Sequence, residues 1–218
     1  MSAPDLSVIV PVRDGQRYLA EAISSVLAHA DGLFEVIVVD DGSTDRSGAI
    51  AREFGGCVRV LSLPPSGVSA ARNRGIEAAR GTVLGFLDAD DRWVAGDPDP
   101  RRAVLGVEGV DAVLGRVQPV AGDPPRPFGP ALSGVQPGAL LVRRDVLIGQ
   151  GGFDAGLRFS EDLDLILRMR DAGLRIELLD DVVVEYRQHE GSATRDRQAD
   201  RAGIVRAVKA SLARRDHR

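Results

Sequence analysis

Cysteine is nearly absent from this chain. Cys57 is its one thiol among 218 residues, so no intramolecular disulfide can form. Within CVRVLS it is expected to be a small core residue. Basic charge is not in excess either. A net charge of −4 and a pI near 5.4 argue against non-specific nucleic-acid binding as the main task. A local basic site for an anionic substrate stays open. The opening MSAPDLSVIVPV lacks a basic segment leading into a signal-peptide core and cleavage site. No apolar run approaches the roughly 20 residues that span a bilayer. There is no internal repeat and no low-complexity block. A soluble, cytoplasmic protein is expected, with no transmembrane segment and at most peripheral membrane contact.

What is present is a core. Hydrophobic residues form 44% of the chain, and its length suits one α/β domain with at most a small appendage. LSVIVPV (6–12), FEVIVVD (34–40), VRVLS (58–62) and TVLGFLD (82–88) are short, β-branched apolar runs of the kind buried on both faces. Between them lie helical patterns at 17–30, 43–55 and 67–81. Ser43 or Thr44 is expected to cap the second of these. Repeated strand–helix–strand units imply a parallel sheet with helices on both faces.

From Arg92 to Pro137 the pattern loosens. DPDPRR and AGDPPRPFGPALSG read as loops, with VDAVLGRVQPV (110–120) a strand between them. Then follow a strand-like GALLV, a short helix and a Gly-Gly turn. SEDLDLILRMRDAG (160–173) is a strong helix pattern, and RIELLDDVVVEYRQH (175–189) reads as two short strands. The tail is a helix candidate with eight basic residues and three acids from Arg195 onward. Its Ile204, Val208 and Leu212 form a stripe expected to dock on the domain, or to touch an anionic membrane surface.

Ligands of open parallel sheets bind at the carboxyl ends of the strands. There the sequence places Pro11 to Gly15, Asp40 to Ser43, Arg72 and Asn73, and the carboxylates Asp88, Asp90 and Asp91. Like charges at the end of a core strand need a reason. A solvated loop or helix cap is the plain one. The sharper one is a hard divalent cation, which takes one or two carboxylates together with phosphate oxygens and water. A calcium-loop pattern fails, because Trp93 stands where that loop needs glycine. Trp93 is expected in the core or in a pocket wall.

VIVPVRDG, VIVVDDGSTD, GVSAARNRG, FLDADD, GGFD and SEDLDLILRMRDAG occur in that order. In combination they closely resemble the family 2 glycosyltransferases, over about residues 6–192. The resemblance implies a GT-A fold: a single Rossmann-like α/β domain with a mostly parallel central sheet flanked by helices. That domain would run over 1–194, with a nucleotide-binding half (1–91), a small acceptor-side half (92–194) and a basic C-terminal helix (195–218). It implies a metal-dependent, inverting transfer of a sugar from a nucleotide-diphosphate donor, a uridine one by expectation, to an acceptor hydroxyl.

Residue by residue, the resemblance implies that Pro11, Val12 and Asp14 line the base and that Asp41 contacts base or ribose. Arg72 belongs to the nucleotide pocket, where it would help to stabilise the leaving diphosphate. Asp88 contacts ribose or bound water, and Asp90 is the main ligand of Mn²⁺ or Mg²⁺. Gly152 lies near donor sugar and acceptor. Asp162 is the general base and Glu161 positions it; the plain alternative for both is a favourable charge at a helix start. His189 can reach diphosphate or metal, and Arg187 can face a phosphate. Asp91 is a helper or a helix cap, and Asp40 is structural. The chain departs from the family where Pro98 and Pro100 interrupt the stretch after Trp93 and where 120–135 is Pro-rich. The acceptor (saccharide, lipid-linked group, peptide or small molecule) therefore stays open. Two rival readings are a sugar nucleotidyltransferase, which lacks its Gly-rich basic loop here, and a catalytically idle sugar-nucleotide-binding module.

Overall fold

The computed structural model describes residues 4–29, 34–94, 99–133, 135–157, 159–189 and 197–216. Strands β1 (Leu6–Val12), β2 (Phe34–Asp40), β3 (Val58–Ser62) and β4 (Val83–Phe86) alternate with helices α1 (Leu19–His29), α2 (Ser47–Glu53) and α3 (Val68–Ala78). They pair in parallel in the order β3-β2-β1-β4. Every residue of β1 is buried, as its unbroken apolar run requires.

After β4 come β5 (Arg92–Trp93), α4 (Pro100–Leu105), β6 (Ala112–Ala121), the short β7 (Arg126–Pro127) and β8 (Leu132–Ser133), and β9 (Leu140–Arg143). Then follow α5 (Arg144–Gly149), α6 (Glu161–Asp171), β10 (Ile176–Gln188) and α7 (Arg197–Asp216). The sheet continues β4-β9-β6-β10-β5. β9 runs antiparallel to both neighbours, while β6 and β10 are parallel. One core therefore spans both halves of the chain.

Five expectations are corrected. α2 starts at Ser47, because Ser43 and Thr44 bond to Asp14 instead of capping a helix, while Asp45 accepts the Ser47 N–H at 2.8 Å. DPDPRR is not all loop: Asp99 caps α4 by accepting the Arg101 N–H at 2.9 Å, and Pro100 opens the helix. The 175–189 segment is one strand with two register shifts rather than two strands. Cys57 is exposed in the turn before β3. The stripe of α7 faces outward, with Ile204, Val208 and Leu212 40%, 41% and 54% exposed. The helix docks by Gly203, Ala207 and Ser211, whose small side chains allow close approach.

Trp93 is a core residue. It is 2% exposed and donates Nε1–H to the Gly138 carbonyl at 3.0 Å, with the buried Arg101 stacked 4.4 Å from its ring. No helix among the described residues is long and apolar enough to cross a membrane.

Candidate active site

The carboxyl edge of the parallel strands carries the site, and its loops are tied by carboxylates. Asp14 stands in the left-handed region at φ 51°. Its Oδ1 accepts the Thr44 N–H at 2.7 Å and the Thr44 hydroxyl at 3.1 Å. These bonds, the Thr44 amide first, hold its carboxyl below the usual range. Asp40 Oδ1 accepts the Ser43 N–H at 2.9 Å, the structural role expected of it. Asp41 is buried, and its two oxygens accept the N–H groups of Ser66 and Gly67 at 2.7 and 2.9 Å. Pro11 and Val12 end β1 beside Val39 and Asp40. Among the described residues, Pro11, Val12, Asp14 and Asp41 shape the first loops and make no hydrogen bond to Asp88, Asp90 or Asp162.

The buried Arg72 joins the two halves. One Nη donates to Asp88 and the other to Glu161, both at 2.7 Å, across 16 and 89 residues of sequence. Both carboxylates raise its already high pKa and hold it charged. Its Nε–H is buried without a partner. The ring of Phe153 lies 5.2 Å from the guanidinium. With both terminal nitrogens on carboxylates, Arg72 bridges Asp88 and Glu161.

The adjoining turn depends on Asn73. Its amide donates to the Phe153 carbonyl at 2.7 Å and its oxygen accepts the Phe153 N–H at 2.8 Å. Gly152 stands at φ 68°, and a Cβ there would lie 2.5 Å from Asn73 Oδ1, so only glycine fits. Arg168 reaches back from α6 to the carbonyls of Gln150 and, at 2.7 Å, Gly152. Sequence pattern alone places Asn73 only beside Arg72, and the Asp164–Arg168 spacing of four is the one local sign that Arg168 is held on the helix.

Asp90 and His189 meet at 2.9 Å, Oδ2 to Nε2, although 99 residues separate them. The imidazole also packs 5.0 Å from the Tyr18 ring. Burial, then the charge of Asp88, pushes the Asp90 carboxyl up, against the pull of His189. Asp91 caps no helix, because β5 follows it. It accepts the Arg187 N–H at 2.8 Å and the Gln136 amide at 3.2 Å, so it ties β10 to the loop after β4. Arg187 is 5% exposed, pairs with Glu21 at 2.7 Å and stacks 4.7 Å from Tyr18.

Asp162 starts α6 next to Glu161. Burial, then the Glu161 charge, pushes its carboxyl up to about 7, and the N–H of Leu163 and the charge of Arg72 only partly oppose this. A small apolar cavity lined by Leu114, Leu140, Phe153 and Leu165 adjoins it and supplies the low-dielectric wall. A carboxyl that titrates near neutrality at a cleft edge can take up a proton at physiological pH.

Among the described residues no three His, Cys, Asp or Glu side chains are gathered to hold an ion. Two carboxylates in mutual repulsion, one of them raised by burial, nevertheless suit a hard cation that phosphate oxygens and water complete.

A curled, largely parallel α/β sheet with an acidic cluster at the carboxyl edge of its first strands defines the class of the fold. Comparison with known proteins specifies the family. Glycosyl transferase family 2 matches residues 7–147. The chain belongs to that family. It is 43% identical over 91 residues to the uncharacterized glycosyltransferase EpsJ of Bacillus subtilis, covering 40% of this chain and 26% of that protein. It is 36% identical over 117 residues to the putative glycosyltransferase EpsH of the same species, covering 52% and 33%. It therefore spans about a quarter to a third of the length of these relatives. Its fold matches S. aureus TarS 1-349 in complex with UDP-GlcNAc at a TM-score of 0.76 and 24% identity, over 88% of this chain and 61% of that one. It matches the Pyrobaculum calidifontis mannosyltransferase PcManGT in complex with GDP-Man and Mn²⁺ at 0.75 and 20%, over 98% and 65%.

Proposed function

We propose that this chain transfers a sugar, with inversion, from a nucleotide-diphosphate donor to an acceptor hydroxyl. The observation that carries the reading is the continuous contact from Asp88 through Arg72 to Glu161, with Asp162 raised to about 7 at its end. One line of contacts thus joins the donor-side carboxylates to a base. Asp162 accepts the proton of the acceptor hydroxyl as that oxygen attacks the anomeric carbon from the face opposite the diphosphate. The bond from that carbon to the diphosphate oxygen breaks, and the nucleoside diphosphate leaves with the electron pair. Glu161 is fixed by Arg72 and so sets the position and charge environment of Asp162. Asp90 and Asp88 would hold Mn²⁺ or Mg²⁺, with His189 bonded to Asp90 at 2.9 Å. Such an ion would supply charge stabilisation for the leaving diphosphate. TarS and PcManGT, of the same fold, were solved with UDP-GlcNAc and with GDP-Man and Mn²⁺, which supports a nucleotide-sugar donor. A uridine donor is the first to test.

Thermal shift with UDP, GDP, dTDP and CMP, each with and without Mn²⁺, tests the donor side. A ligand of the folded state stabilises by about 2.7 kcal/mol at a hundredfold excess over its Kd. One nucleotide is expected to stabilise in the presence of Mn²⁺. Asp90→Ala should abolish that shift, and Asp162→Asn should keep it while losing transfer. An equal shift in Asp90→Ala would remove the metal assignment. Nucleotide binding without turnover of any donor sugar would favour the idle module.

A further inference from the structure

α7 lies outside the residues matched by the family and, among the described residues, touches no candidate catalytic group, yet it packs along the helix that carries them. Two contacts fix it. Near its start, Gly203 presses on the turn that leads into α6. A Cβ at 203 would lie 2.7 Å from the Phe159 carbonyl oxygen and 2.8 Å from Ser160 Oγ. Ser160 stands at φ 61° and makes no side-chain cap. A non-glycine residue keeps that conformation only where its surroundings hold it. The next two residues are Glu161 and Asp162.

Near its end, α7 is latched to the other end of α6. Ser211 donates to Asp171 at 3.0 Å, and Arg214 and Arg215 donate at 3.0 and 2.8 Å. Asp171 is buried, which alone would raise its carboxyl. The hydrogen bonds from Arg215, Ser211 and Arg214 outweigh that and hold it down to about 2. Arg214 also lies 3.8 Å from Asp164, whose other oxygen accepts from Arg168 at 2.7 Å. Arg168 in turn holds the Gly152 carbonyl. The contacts therefore run from α7 through α6 to the glycine turn. α6 is 11 residues, about 16 Å of helix, and is gripped by one neighbour at both ends.

We infer that α7 is a positioning element of the active site: Gly203 fixes the Phe159–Ser160 turn, the Asp171 latch fixes the far end of α6, and together they set where Glu161 and Asp162 stand. The inference rests on the reading of Asp162 as the base. It makes Gly203 and Asp171 positioning residues that act through α6 without meeting substrate.

Gly203→Val tests the near contact, with Gly203→Ala as the milder variant, and Asp171→Asn tests the latch. In Gly203→Val, kcat for the donor that the wild-type chain turns over should fall about tenfold, with donor KM and the calorimetric Kd for UDP and Mn²⁺ within about twofold, because a displacement of 1 Å at a reacting group already costs more than that. Amide exchange at 159–163 should quicken about tenfold in Gly203→Val and in Asp171→Asn, with Gly203→Ala between them and wild type. Faster exchange in α7 with unchanged kcat and unchanged protection at 159–163 would overturn the inference. Where the variants fail to fold, native-state exchange of the unmodified chain decides. α7 and 159–163 should open as one unit in rising denaturant, and α7 opening alone would overturn the coupling. Full transfer by Asp162→Asn would instead remove the base reading and leave the exchange result standing.

Discussion

In residues 4–91, carboxylates organise loops. Asp14, Asp40 and Asp41 give their oxygens to neighbouring backbone N–H groups, and each such bond shapes a turn at the end of a strand. In residues 92–216, the carboxylate that matters is left under-satisfied. Asp162 has one local N–H, an acidic neighbour and an apolar wall, and it is pushed up to about 7. Satisfied carboxylates become scaffold, and an under-satisfied one suits the role of the proposed base. Arg72 stands between the regimes, with one Nη on a carboxylate of each half.

Removing the base should show the contrast most strongly. Asp162→Asn is expected to lower transfer by a factor of about 10² to 10⁴ with nucleotide binding intact, as read by steady-state kinetics and calorimetry. Cutting the bridge comes next. Arg72→Met leaves Asp88 and Glu161 without their cation and should cost about 3–5 kcal/mol in urea unfolding, the range for breaking a buried pair. Asp41→Ala removes an acceptor from two backbone N–H groups and should cost about 1.5–3 kcal/mol. A transfer loss no larger than the loss of folded protein would place Asp41 on the scaffold side, and a rise in donor KM would place it in the donor pocket. The pH profile sharpens the other side. Asp162 works as its anion, so kcat should fall on the acid side of about 7 and reach about a tenth of its plateau at pH 6. A flat profile down to pH 5 would remove the raised carboxyl from the rate-limiting step. The smallest effect belongs to the outer face of α7. Leu212→Ser and Val208→Ser should change stability by no more than about 0.5 kcal/mol, because both side chains already face water.

Much was legible from residue order. The first four strands and the helices between them follow from apolar period and from Gly and Asp punctuation, which are local signals. The Asp triplet, the Gly-Gly turn and the Glu-Asp helix start were visible for the same reason. The α7 stripe shows where a local signal misleads. Ile204, Val208 and Leu212 have the spacing of a docking face, but the available neighbour is a helix end that admits only Gly203, Ala207 and Ser211. Tertiary packing decided the rest. His189 and Asp90 meet across 99 residues, and Arg72 and Glu161 across 89. No period or spacing encodes such pairs, because they depend on how β10 and α6 lie against the parallel strands. The raised carboxyl of Asp162 is of the same kind. Its identity is in the chain, but its pKa comes from the dielectric and the charges that folding sets around it.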